Sequence, residues 1–205
     1  MSAVIIFVSG DAATMFTDGV TYDNDNRILS IAPKAYPLPH LNCVVNIRGP
    51  QDFAADFVPR LARVFTTFES LVDGLPLAAE VAWECAPAAV QAYGGCEIYI
   101  AGYSHERDRA EAHVVTNNPA YGDGWRSAEI DTYASAPGVP IDGVPDDMLE
   151  AAIAIMERQR AHRDEHGNGG VGGFVQMTQV TPLATHTSVI HRWPDRPGDC
   201  LRDAA

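Results

Sequence analysis

Lysine is almost missing from this 205-residue chain: one residue, Lys34, against 13 arginines. Cations of both kinds number only 14 against 27 carboxylates, for a net charge of -13. That balance excludes nucleic acid and anionic membrane surfaces as partners, since both need clustered positive charge to displace counterions. Long apolar runs are also missing. The opening run, Ala3 to Val8, is far below the about 20 apolar residues that a membrane helix needs. No basic residue precedes Arg27, so the start of the chain lacks the charged flank of a secretory leader. The four cysteines (Cys43, Cys85, Cys96, Cys200) are scattered and form no CxxC pair. No leader is expected, and the cysteines are expected to be reduced thiols in a cytoplasmic protein. There is no GxSxG nucleophile elbow and no P-loop. What remains, 46% hydrophobic and 20% charged residues, describes an ordinary globular chain. One domain over residues 1–205 is expected, with residues 194–205 as a polar tail.

The scarcity of lysine turns attention to the one that is present. Arginine stays protonated in proteins, whereas a lysine amine titrates readily when buried. A lone lysine in an arginine-using chain is therefore a candidate for chemistry. Codon bias explains the scarcity but not the position.

Apolar patterning gives the order of elements. Short strands are expected at residues 3–8, 12–16, 28–31 and 41–47, with the polar stretch Thr21 to Asn26 as a turn and a Pro-rich connection before Leu41. From Phe53 the apolar residues recur at steps of three and four through Phe57, Leu61, Phe65 and Phe68 to Val72, predicting an amphipathic helix kinked or broken at Pro59. A second, Ala-rich helix is expected over residues 75–92. Strands return at 97–103, 112–116 and 127–133. A Pro/Gly loop at 136–145 leads to a helix over 146–163, and two last strands follow at 173–181 and 187–193. Strict βαβ alternation is absent, so the class is α+β, with antiparallel sheets covered by helices.

Two motifs in this order are decoys. Gly167 to Gly172 spells GxGxxG, but it follows a helix and precedes a strand, the reverse of the order that presents a helix N-terminus to a pyrophosphate. His162 and His166 spell HxxEH and could share a helix face around zinc. They sit at a helix end, where histidine also serves the dipole, and no glutamate follows Glu165 to complete a ligand set. A zinc hydrolase using His162 and His166 is thus a distant alternative, and no cofactor or metal is expected.

A third pattern is more specific. Asp18, in Thr17-Asp18-Gly19, lies 16 residues after Ser2, and Lys34 lies 32 after it. With the strand 41–47, then Gly49, then paired helices, this order resembles the N-terminal nucleophile hydrolases of the proteasome β-subunit and bacterial ring-protease type. The resemblance implies a four-layer αββα sandwich, two antiparallel sheets flanked by helices. It spans about residues 2–192 in architecture, with sharp matches at Ser2, Asp18 and Lys34. It implies Ser2 as nucleophile with its own α-amine as base, Asp18 and Lys34 beside it, Gly49 as an oxyanion donor, and Asp164 as the helix-end aspartate. A small second residue is the context in which Met1 is normally removed.

The chemistry suits these residue types. A hydroxyl needs a base, and an α-amine with a pKa near 8 provides one. A lysine held by an aspartate places positive charge beside the nucleophile and favours its deprotonated form. The departures are that the family's nucleophile is usually threonine, that Gly49 falls one residue late, and that the family's Ser-Gly motif is represented only by Ser135. The implied partners are a peptide or amide substrate, further copies of the chain in a homo-oligomer or ring, and an ATPase. The alternative is a catalytically inactive subunit of the same fold that serves ring assembly.

Overall fold

The structure is a computed structural model that describes residues 3–134, 138–164 and 169–201. The chain begins with a hairpin of β1 (Val4–Ser9) and β2 (Ala12–Asp18), joined by Gly10-Asp11. A short hairpin of β3 (Val20–Tyr22) and β4 (Ile28–Ile31) follows, then β5 (Ala35–Leu38) and β6 (Cys43–Arg48). Three helices come next: α1 (Gln51–Val64), α2 (Phe68–Glu84) and the single turn α3 (Ala88–Gln91). Strands β7 (Glu97–Ser104), β8 (Arg109–Thr116), β9 (Arg126–Glu129) and β10 (Thr132–Ala134) lead to α4 (Met148–Ala161). The closing hairpin is β11 (Phe174–Val180) with β12 (Thr185–Arg192).

Ten of these strands form two five-stranded antiparallel sheets. Their orders are β10-β1-β2-β11-β12 and β5-β6-β7-β8-β9, and β3 pairs only with β4. Alternation along the strands assigns each face. Val4, Ile6 and Met15 of the first sheet meet Val44, Tyr99, Ala101 and Ala112 of the second in one shared core. The other face of the second sheet, through Val45, Ile47, Ile98 and Ile100, buries Phe57 and Leu61 of α1 and Leu71 and Leu75 of α2. The other face of the first sheet, through Ile5, Phe16 and Val175, is covered by Ala152, Ile155 and Met156 of α4. The chain is thus α+β, with two antiparallel sheets face to face and helices on their outward sides.

Several element boundaries differ from the sequence expectation. The first helix does not break at Pro59, which lies inside α1. It stops at Phe65, whose backbone is extended, and α2 restarts behind Thr67. There Thr67 and Ser70 cap each other's backbone, the Ser70 N–H donating to Thr67 Oγ1 at 3.1 Å. A reciprocal cap of this kind satisfies two orphan N–H groups at once, which outweighs the continuing apolar period. α2 runs on through Pro76, so the second helix begins earlier and ends sooner than expected.

The Pro-rich connection holds β5, an edge strand, and the expected turn at 21–26 begins inside β3. The single strand expected at 127–133 is two strands in different sheets: β9 pairs with β8, while β10 pairs with β1. The crossing is pinned by backbone bonds from Ile130 to Ala112 and from Val8 to Asp131.

The polar segment after β12 is packed. Ile28 N–H donates to the Asp199 carbonyl and Leu201 N–H to the Asn26 carbonyl, each at 2.9 Å. The Leu201 side chain is buried with Val20 and Ile28. No helix among the described residues is long and apolar enough to cross a membrane.

Candidate functional site

Asp18 ends β2 and is fully buried. Its Oδ1 accepts the Ala3 N–H at 3.0 Å and its Oδ2 the Val20 N–H at 3.2 Å. Lys34 Nζ donates to both oxygens, at 3.0 and 2.9 Å. One carboxylate therefore ties together the start of β1, the turn into β3 and the lone lysine. A buried carboxylate is tolerated only with such compensation.

Lys34 is positioned by its own backbone. The turn before it is held by Ala32 N–H on the Gly19 carbonyl at 2.8 Å. Buried Asn46 of β6 donates its Nδ2 to the Lys34 carbonyl at 3.0 Å, and buried Gln176 of β11 donates to the next carbonyl, Ala35, at 3.2 Å. Thr17, Asn46 and Gln176 all face the space between the sheets, and Thr17 Oγ1, Asn46 Oδ1 and Gln176 Oε1 are buried without a hydrogen-bond partner among the described residues. A polar patch inside an otherwise apolar sandwich thus lies beside Asp18 and Lys34. Sequence reasoning missed Asn46 and Gln176. The available signal was an amide side chain at a core-facing position of an apolar strand, as in Val44-Val45-Asn46-Ile47.

Lys34 opens on a cleft of about 570 Å³ whose wall also includes Gly49. A Cβ at Gly49 would sit 2.7 Å from Cys96 Cβ, so only glycine lets β6 pass β7 here. Arg48 and Glu97 stand next along the wall. Arg48 Nη1 donates to Glu97 Oε2 at 2.5 Å, and Glu97 also accepts from Tyr99 Oη at 2.6 Å and Asn118 Nδ2 at 3.0 Å. Burial pulls the Arg48 guanidinium down, but Glu97 and Tyr99 outweigh it and hold it above its ordinary value. Burial, then the Glu97 charge, push the Tyr99 hydroxyl far up and the Cys96 thiol up to about 12, so both stay protonated at neutral pH.

The structure thus joins Asp18 to Lys34 and puts Gly49 in the wall of the cleft that Lys34 also lines. Asp164 stands half-buried beyond the end of α4 and is not part of the cleft wall. Ser2, Ser135 and His166 lie outside the described residues. His162 closes α4 and is exposed. Among the described residues no group of three His, Cys, Asp or Glu side chains could hold a metal ion. The described part of the GxGxxG motif, Gly169 to Gly172, is buried between α4 and β11.

A second cavity, about 500 Å³, lies at the opposite end of the β5–β6 pair, lined in part by His40, Asn42 and His105. It contains none of the candidate residues.

No protein family matches the sequence of this chain, and no curated protein matches it.

Proposed function

We propose that the chain is an N-terminal serine amidohydrolase or peptidase, with the four-layer αββα sandwich of the N-terminal nucleophile hydrolases. The observation that carries this reading is the double use of Asp18, whose Oδ1 takes both the Lys34 ammonium and the Ala3 amide at 3.0 Å. The residue peptide-bonded to Ala3 is Ser2. A nucleophile assisted by Lys34 belongs one peptide unit from that shared oxygen.

With Met1 removed, the Ser2 amine takes the hydroxyl proton as Oγ attacks the amide carbon. Lys34 stabilises the developing alkoxide, and the Gly49 N–H supports the oxyanion. The intermediate collapses to an acyl ester and expels the amine, protonated by the α-ammonium. Water, deprotonated by the same amine, then hydrolyses the ester and restores Ser2. Asp164 is assigned the part of the family's helix-end aspartate, bracing the N-terminal end. The reading extends to a cytoplasmic homo-oligomer, in a ring, served by an ATPase.

The test is a β-lactone probe on protein purified from its native host, read by intact mass and peptide mapping. One adduct on Ser2, absent in Lys34→Ala, is expected. Full retention of Met1, or an adduct elsewhere, overturns the mechanism.

The second reading, an inactive assembly subunit, is favoured by Leu77 and Val81. These lie one turn apart on α2 and are 67% and 51% exposed, an apolar pair suited to a subunit contact. A ring seen by native mass spectrometry without any probe adduct would favour this second reading over catalysis.

A further inference from the structure

We propose that Asn46 and Gln176 are positioning residues for Lys34. Two buried amides, one from each sheet, clamp the consecutive carbonyls of Lys34 and Ala35 and so fix where the ammonium stands. Their catalytic consequence rests on the hydrolase reading above, in which Lys34 assists Ser2.

Lys34 directly precedes β5, a four-residue edge strand that carries Pro37 and pairs with β6. An edge strand is held from one side, and short ones open at their ends at little cost. Asp18 grips the tip of the Lys34 side chain at 2.9 and 3.0 Å. Between that grip and the backbone lies a flexible four-carbon stem. Movement at the start of β5 would therefore carry the ammonium with it, unless the backbone is held as well.

The two amides supply that hold. Asn46 is fully buried and Gln176 is 2% exposed, in strands whose other core residues include Val44, Val45, Ile47 and Val175. An apolar residue of similar size would fill either place without the cost of burying an amide. Each amide bonds through its nitrogen. Asn46 Nδ2 donates to the Lys34 carbonyl at 3.0 Å, and Gln176 Nε2 donates to the Ala35 carbonyl at 3.2 Å. The oxygen ends, Asn46 Oδ1 and Gln176 Oε1, have no hydrogen-bond partner among the described residues. Two half-satisfied amides in an apolar core are a local conflict, and such conflicts fall at functional sites.

The sheet registers make the hold rigid. Asn46 lies opposite Ala35 in the second sheet, and Gln176 lies opposite Thr17, beside Asp18, in the first. The first sheet thus supplies Asp18 for the ammonium and Gln176 for the carbonyl of Ala35. The second supplies Asn46 for the carbonyl of Lys34 itself. The β11–β12 ladder shifts register between Val175 and Gln176, a bulge of the kind that re-aims a side chain beside a site.

The experiment uses the full chain with Asn46→Leu and Gln176→Met, which keep the side-chain size and remove the donor. Lys34 is the only lysine. Its acetylation by N-hydroxysuccinimidyl acetate, read by intact mass and peptide mapping, therefore reports on one side chain. Both variants should acetylate Lys34 at least about tenfold faster than the parent, as a locally released segment does. Thr67→Ala, which weakens α2 away from the clamp, should leave that rate unchanged. In parallel, saturation kinetics of the β-lactone probe on Ser2 separate reaction from binding. The maximal labelling rate should fall at least about tenfold in both variants, with half-saturation within about twofold of the parent.

An acetylation rate unchanged in the variants, or raised equally by Thr67→Ala, overturns the inference. So does a maximal labelling rate that both variants keep. Gln176→Met decides alone if Asn46→Leu fails to fold. If Lys34 is released in the variants while Ser2 of the parent takes no probe, the hydrolase reading fails and the clamp stands. Labelling of Ser2 that is indifferent to both variants does the reverse.

Discussion

Replacing Lys34 by methionine should destabilise the fold by about 3 kcal/mol, the lower part of the range for breaking a buried ion pair. Asp18 is fully buried and, among the described residues, accepts four bonds, two from Lys34 and one each from the Ala3 and Val20 amides. Methionine keeps the length and apolar stem but removes the cation, which leaves the Ala3 and Val20 amides as the remaining described donors to a fully buried charge. The lower part of the range applies because Lys34 is 14% exposed and the cleft beside it admits water. Such a loss is a large fraction of the 5–15 kcal/mol that keeps a domain folded.

Asp18→Asn removes the charge itself, and the double variant Asp18→Asn, Lys34→Met removes both charges. Replacing a buried pair outright is often close to neutral. The double variant should therefore lie within about 1–2 kcal/mol of the parent and be more stable than Lys34→Met alone. Urea unfolding at neutral pH, followed by tryptophan fluorescence, measures all four corners of the cycle. A loss under about 1 kcal/mol for Lys34→Met, or single losses that simply add in the double variant, would refute the claim that this carboxylate depends on this amine.

Other perturbations test the surroundings. Glu111 is buried and accepts from Arg107 Nε at 2.5 Å, Arg109 Nε at 3.0 Å and His113 Nε2 at 3.1 Å. Burial raises its carboxyl, but the bonds from Arg107 and His113 outweigh that and hold it below 4.5. Its contribution to stability is thus complete above about 4.5 and lost as pH falls through the lower folded value. Melting temperatures across that acid range should drop steeply in the parent and less steeply in Glu111→Gln. Thr67→Ala removes the cap of α2 and should cost about 1 kcal/mol in urea unfolding, with Ser70→Ala no worse. Gly49→Ala forces a methyl against Cys96 Cβ and should cost about 1–3 kcal/mol. Cys96→Gly should relieve the contact part of that cost, leaving the strain of a side chain at a φ of +158°, and Cys96→Ala should relieve neither, because alanine keeps the offending atom.

How far the sequence reveals this molecule depends on how local each signal is. Phe53, Phe57 and Leu61 announce the buried face of α1 because they touch the same sheet. Phe65 and Phe68 continue the same spacing although one lies in the break and the other begins α2. Periodicity reports burial, and both residues pack against the same core. The break is written instead in Thr67 and Ser70. Strand β5 hides behind Pro37, which an edge strand tolerates because the missing N–H has no partner strand to serve. The crossing from β9 to β10 hides because Ile130 and Asp131 carry no glycine or proline. At the site, Asp18 and Lys34 are legible by spacing. Asn46 and Gln176 reach the Lys34 and Ala35 carbonyls from 12 and 141 residues away, distances at which one sequence shows no pairing.

The same reasoning explains why a site built on the first strands depends on the end of the chain. Asp18 is followed by Gly19, whose N–H donates to the Gly172 carbonyl at 3.0 Å. The next residue, Gly173, donates its N–H to Asp195, and Asp195 forms a buried, two-point pair with Arg160 of α4 at 2.7 and 2.8 Å. Arg160 also donates to the Val171 carbonyl and lies over the Trp193 ring. A Cβ on Gly172 would meet Asp195 Oδ2 at 2.5 Å and Arg160 Nη1 at 2.8 Å, so the glycine-rich turn lets backbone press against an ion pair. Those glycines, which in sequence imitate a nucleotide loop, belong to the frame that holds the Asp18 turn. A lysine near a carboxylate is common on protein surfaces and contributes little there. Here the strands, the end of α4 and the returning tail hold the carboxylate independently of the lysine, and that framework lets one lysine serve as a placed charge.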